Sequence, residues 1–167
     1  MLVPAIAAIL DRDLRALGRE IEAYPDERDL WTEVPGLPNP AGTLILHLTG
    51  NLQHFVGATL GRTGYVRDRP AEFARRAVLR AELLREVEAA RAAVKAGLCG
   101  AAAPDVRAEF PEQVGGVRVG TGEYLIHLAA HFAYHLGQVD YHRRVVTRQT
   151  TGVDAMKPAE LSSARDP

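Results

Sequence analysis

The side chains best suited to chemistry in this 167-residue chain are its six histidines. Four of them, His127, His131, His135 and His142, lie in the single stretch TGEYLIHLAAHFAYHLGQVDYHRRVVTRQT, residues 121–150. The other two, His47 and His54, share a second stretch, residues 41–61. A neutral imidazole is a ligand for divalent cations and a proton carrier near neutral pH. On a helix, residues four apart are separated by ~6 Å of rise on one face, so His131 and His135 can present two nitrogens to one ion. The concentration supports two readings. Either these are interior histidines bonded to carbonyls or water, or both stretches contribute to a three-histidine metal site. Three neutral imidazoles with an open fourth position suit Zn²⁺ or Ni²⁺, with Fe²⁺ or Mn²⁺ as further candidates.

Other chemistries lack their residues. H-E-x-x-H and the Glu-x-x-His repeats of di-iron bundles do not occur. One cysteine, Cys99, rules out C-x-x-C and an intrachain disulfide. It has no basic neighbour to activate it as a nucleophile. G-x-S-x-G is missing, and Gly115, Gly116 and Gly120 do not form a phosphate loop.

The elements that must position the histidines follow from apolar spacing. Ile6, Leu10, Leu14, Leu17, Ile21 and Tyr24 recur at threes and fours, which predicts a first helix over 4–24 with Pro4 in its first turn. Prolines 25, 35, 38 and 40 keep 25–40 irregular, with Trp31 covering one end of the core. A second helix is expected over 41–60, capped by Asn39. It has an apolar stripe (Ile45, Leu48, Leu52, Phe55) beside a mixed one (Leu44, His47, Asn51, His54, Ala58). A third is expected over 70–98, with Phe73, Ala77, Leu84, Val87 and Val94 inward. Its charges, Glu72 with Arg76 among them, read as a solvated face. A Gly/Ala/Pro-rich loop over 99–120 leads to a fourth helix, capped by Thr121 and running to about 148. There Leu125, Ala129, Phe132, Leu136 and Val139 make the apolar stripe. Tyr124, Leu128, His131, His135, Gln138 and His142 run beside it. The expected architecture is all-α, one domain over 1–150 with a frayed or loosely docked tail over 151–167.

Composition narrows the partners. A net charge of −1 gives no reason to expect nucleic acid or an anionic membrane, and 6% aromatics provide few stacking platforms. Hydrophobic content of 47% with 25% charged residues is ordinary for a globular domain. The opening MLVPAIAAIL is too short to span a bilayer and reads as the start of an amphipathic helix. Together with the lone cysteine this gives an expectation of a cytoplasmic protein.

Two motifs, HLTGN (residues 47–51) and HFAYHLGQ (residues 131–138), resemble the DinB-like superfamily of four-helix-bundle proteins. That superfamily includes YfiT-like hydrolases and thiol-dependent S-transferases. HLTGNLQHF followed by RDRPAEF, residues 67–73, is also similar to one uncharacterised branch of it. The resemblance covers about two thirds of the chain. It implies an up-down-down-up four-helix bundle with a long or crossing link between the second and third helices. It implies a divalent ion held by His47, His131 and His135, with water or substrate completing the shell, and a homodimer. For activity it implies transfer of a low-molecular-weight thiol to a small electrophile. A metal-dependent hydrolase, or a non-catalytic metal- or ligand-binding, stress-related module, are the alternatives.

Three histidines, His54, His127 and His142, have no place in that ligand set. They stand as partners behind the ligands, as pocket lining, or, for His54, as a substitute for His47. Asn51 and Gln138 share the seams and can orient ligands or substrate, and Tyr134 and Tyr141 are candidate proton donors. If the second and fourth helices run antiparallel, His54 belongs at the His127 end of the site and His142 near the start of the second helix.

Overall fold

The computed structural model describes residues 2–100 and 103–165. Among them the regular structure is entirely helical. The helices are α1 (Leu2–Glu22), α2 (Ala41–Leu52, continued as a π-helical stretch Gln53–Leu60), α3 (Arg69–Ala74), α4 (Arg80–Leu98) and α5 (Thr121–Thr147). Short 3₁₀ turns lie at Glu27–Trp31 and Pro158–Glu160. Among the described residues no helix is long and apolar enough to cross a membrane.

α1 forms because its apolar residues recur once per turn. Val3, Ile6, Leu10, Leu14, Leu17 and Ile21 are all buried, and the stripe faces both α4 and α5. α2 with its extension packs on those same two helices and is roofed by α3. Every residue of Ala41–Leu52 is buried, so polar groups in α2 depend on partners within the protein, and Thr43 Oγ1 is buried without one among the described residues. Thr49 is satisfied locally, its hydroxyl donating to the Ile45 carbonyl at 2.9 Å. His47 is satisfied through the site described below.

α2 and α5 run in opposite directions. The Phe55 ring touches Tyr124 (centroids 5.2 Å), His47 lies against His131 (5.2 Å), and Leu44 and Asn39 share a small cavity with Gln138 and His142. Thus the start of α2 meets the end of α5. A buried ion pair ties α5 to α1: Arg143 Nε donates to Glu20 Oε2 at 2.5 Å, both side chains at most 1% exposed.

Several expectations need correction. The first helix covers 2–22 instead of 4–24. The stretch after Leu52 keeps helical continuity but takes wider i→i+5 bonds, as in Gly61 N–H to Val56 O at 2.9 Å. Pro40, not Asn39, sits at the N-cap of α2, and Gly120, not Thr121, at that of α5, neither with a side-chain cap. The predicted third helix is two. The chain breaks over residues 75–79, with Ala77 at φ 54° and exposed, and Leu83 takes the core position expected for Leu84. The break is held by distant groups. Trp31 Nε1 donates to the Val78 carbonyl at 3.1 Å, and Glu27 accepts from Arg80 N–H at 2.8 Å. It lets α3 turn across α2 while α4 runs along α1.

The tail is docked. Arg19 donates to the Val153 and Asp154 carbonyls, each at 3.0 Å, and Arg143 to that of Thr151 at 3.2 Å.

Candidate metal centre

His47 from α2 meets His131 and His135 from α5. His131 and His135 are one turn apart, and their rings stand edge-on, with centroids 4.6 Å apart. His47 approaches from the facing helix, edge-on to both, with centroids at 5.2 Å and 5.5 Å. One nitrogen from each of the three lies within 4.8 Å of the others. His47 is buried, whereas His131 and His135 keep a solvent-facing side, so the cluster is closed behind and open along α5.

The proton positions on two rings are set by their neighbours. His47 Nδ1 faces Glu72 Oε2 at 3.0 Å, and His135 Nδ1 faces Gln138 Oε1 at 2.6 Å. Both partners accept, and Glu72 lies nearer to His47 Nδ1 than does Arg67 Nη2, at 3.4 Å, so each Nδ1 carries the proton and donates it. Each Nε2 is then left with its lone pair free. His47 Nε2 and His131 Nε2 face each other at 3.3 Å. Two nitrogens bound at ~2.0–2.1 Å to one tetrahedral ion stand ~3.3–3.4 Å apart. The three-histidine donor set therefore fits a divalent cation in type, and the His47–His131 pair fits it in spacing. Polarising partners on the far nitrogen are also what metal-bound histidines usually have.

Burial first, then the imidazoles of His135, His47 and His127 and the Arg67 charge, push His131 down to about 4. Burial likewise lowers His135, against the hydrogen bond to Gln138. Both rings are therefore kept neutral, the form that binds metal.

Glu72 and Arg67 are the functional candidates that sequence reasoning missed. Glu72 is 6% exposed and lies on the first turn of α3, instead of pairing with Arg76 at the surface. Arg67 clamps its carboxylate, Nε to Oε1 at 2.6 Å and Nη2 to Oε2 at 2.9 Å. Burial alone would raise the Glu72 carboxyl, but the hydrogen bonds from His47 and Arg67 outweigh it and hold the group below its ordinary range. Asp68 caps α3, accepting from Ala71 N–H at 3.0 Å, and so fixes the turn that delivers Glu72. Gly50, the glycine of HLTGN, makes the space: a Cβ there would come within 2.4 Å of Glu72 Oε1. A carboxylate in RDRPAEF and a glycine one turn beyond His47 were the available signals.

The remaining candidates divide. Tyr134 is exposed and packs edge-on against His135, centroids 5.1 Å apart. Asn51, four residues after His47 on α2, is buried and has no side-chain hydrogen bond among the described residues. His127 is exposed and stacks on His131, centroids 6.1 Å apart. His54 turns to Glu112, Nε2 to Oε1 at 3.2 Å, and takes no part in the cluster. His142 is engaged elsewhere. Its Nε2–H donates to the Thr32 carbonyl at 2.9 Å and its Nδ1 accepts from the Tyr24 hydroxyl at 2.8 Å. Cys99 is free and exposed. A cavity of about 540 Å³ between α1 and the end of α4 stands apart from the three histidines.

No family model matches the chain, and no curated protein or solved structure matches it. Fold and site together define a class: an all-helical protein with three histidines, from two facing helices, close enough to bind one metal ion.

Proposed function

We propose that the protein is a metal-dependent enzyme that transfers a low-molecular-weight thiol to a small electrophile. We further propose that its helices form a DinB-like, up-down-down-up four-helix bundle working as a homodimer in the cytoplasm. The observation that carries the functional reading is the convergence of His47, His131 and His135, with the outer nitrogens of His47 and His135 anchored by Glu72 and Gln138. The resemblance of HLTGN and HFAYHLGQ to the superfamily motifs supports the same assignment.

In this reading His47, His131 and His135 hold the cation through Nε2, with zinc or nickel the best match to three imidazoles and iron or manganese the alternatives. A bound divalent cation stabilises thiolate over thiol and hydroxide over water near neutral pH. Glu72, fixed by Arg67, keeps the His47 proton on Nδ1, and Gln138 does the same for His135. The solvent-facing side of His131 and His135 leaves reactants an approach along α5. Tyr134 and His127 border it and can orient a reactant. In the reaction a carbon–sulfur bond forms as the bond from that carbon to a leaving group, or to an epoxide oxygen, breaks. The leaving group departs as an anion with the thiol proton released to water, or the opened-ring oxygen takes that proton. Where water replaces the thiol the same site gives hydrolysis, the second reading.

The test is turnover of a thiol with an electrophile such as a haloaromatic or an epoxide by metal-loaded protein, compared with His131→Ala of unchanged circular dichroism. Conjugation by the parent and background rates in the variant are expected. Equal rates in the two would refute metal catalysis, and hydrolysis of the electrophile without conjugation would favour the second reading.

A further inference from the structure

The loop before α5 carries a built feature that the histidine cluster does not use. Residues 114–117, Val-Gly-Gly-Val, form a two-residue hairpin turn. Val114 and Val117 exchange both backbone hydrogen bonds, at 2.9 and 3.1 Å, and Gly115 and Gly116 take φ of 59° and 84°. Two positive φ values in succession are the type I′ geometry that glycine permits. The turn is moored to the core at its base: Phe110 N–H donates to the Val119 carbonyl at 2.9 Å, and the Phe110 ring packs on Tyr124 with centroids 4.7 Å apart. Val114, Val117 and Val119 are thereby held opposite Glu123, Tyr124 and His127 of α5, lining an open cleft of about 230 Å³.

Three properties define what this cleft takes. Its walls are three valines, a tyrosine ring and an imidazole, and its one charged lining residue is the carboxylate Glu123. An anion is therefore disfavoured there and a neutral apolar group favoured. Its volume is below the ~300–1,000 Å³ of pockets for drug-sized ligands, which limits the occupant to a small molecule or one arm of a larger one. Its wall continues into the candidate metal centre. Tyr124 stacks on His127 with centroids 5.8 Å apart and rings 13° from parallel, and His127 stacks on His131 at 6.1 Å and 24°.

We infer that this valine cleft is the subsite for a neutral, apolar arm of the substrate, and that His127 is the shared wall that places the arm beside His131. The identification of the occupant as a substrate rests on the proposed function; the affinity of the cleft for neutral apolar molecules does not. The cleft selects electrophiles with a small uncharged aryl or alkyl group over carboxylated ones.

The experiment uses the full chain without metal and follows 4-fluorobenzyl alcohol and 4-fluorobenzoate by ¹⁹F NMR titration. Saturable binding of the alcohol is expected, with the carboxylate at least about tenfold weaker. Val117 is 59% exposed, so Val117→Lys is compatible with the fold, which circular dichroism verifies. It is expected to weaken the alcohol about fivefold or more and to narrow the gap to the carboxylate. No saturable binding, equal affinity for both probes, or an alcohol affinity untouched by Val117→Lys would overturn the inference. Co²⁺ added afterwards separates this result from the metal reading. If the ion binds, broadening of the bound ¹⁹F line is expected, and an unbroadened line would overturn the placement beside His131. If the ion does not bind, the metal reading fails while the metal-free titration still decides what the cleft takes.

Discussion

Glu72 Oε2 accepts the Nδ1 proton of His47 at 3.0 Å across the α2–α3 contact, from a carboxylate that Arg67 holds in place from the other side. The pair decides which His47 nitrogen faces the cluster. Removing the carboxylate's charge, in Glu72→Gln, or its clamp, in Arg67→Met, leaves all three candidate ligands present. Metal affinity is nonetheless expected to fall about 10–100-fold, the usual effect of losing a group behind a ligand. Competition with a chelator of known affinity measures this, and unchanged affinity in both variants would remove Glu72 and Arg67 from the site.

Gly50 offers the same test through shape alone. Gly→Ala inside a helix ordinarily stabilises by about 1 kcal/mol. Here the new methyl would meet Glu72 Oε1 at 2.4 Å, and such overpacking costs about 1–3 kcal/mol. Gly50→Ala is expected to lower the thermal midpoint and to weaken metal binding in parallel with Glu72→Gln. A variant more stable than the parent with full metal affinity would show that the carboxylate has room elsewhere.

The α1–α5 tie is expected to be costly to break. Glu20→Ala leaves Arg143, 1% exposed, without its shortest partner, and breaking a buried pair costs about 3–5 kcal/mol. Asp140, 2.9 Å from Arg143 Nη2, offsets part of this. Urea unfolding is expected to show a loss towards the lower end of that range, and a loss below about 1 kcal/mol would contradict the reading.

Much of the candidate site was legible in the sequence, and what was missed has a physical reason. His131 and His135 announced themselves by their one-turn spacing, and HLTGN pointed to His47. Glu72 did not, because a carboxylate four residues before Arg76 has the pattern of a surface pair. Its burial depends on the break over residues 75–79, which contains no proline or glycine and is held by Trp31 and Glu27 from far along the chain. The apolar stripe of α1 was clear since one face repeats over 21 residues. The π-helical stretch was not, since eight residues are too few to separate its wider turn from an α-helical one.

His142 contributes, beside His131 and His135, to an expected pH dependence of the metal-free protein. Burial lowers its pKa, against the hydrogen bond to the Thr32 carbonyl and the charge of Asp29. The unfolded chain therefore binds a proton at higher pH than the folded one. Stability contributed by the neutral ring is present above about pH 6.5 and is lost as pH falls from there towards the folded pKa. The thermal midpoint is expected to drop between pH 7.5 and 5.5, and to drop less in His142→Gln. Equal slopes in the two proteins would assign the effect to other groups.

The most direct measurement is metal content. The protein is purified without a histidine tag, exposed to excess Zn²⁺, dialysed, and assayed by elemental analysis beside His47→Ala, His131→Ala and His135→Ala of unchanged circular dichroism. About one ion per chain is expected in the parent, with at least a tenfold weaker affinity in each variant. A parent that retains no more metal than the three variants would contradict the account.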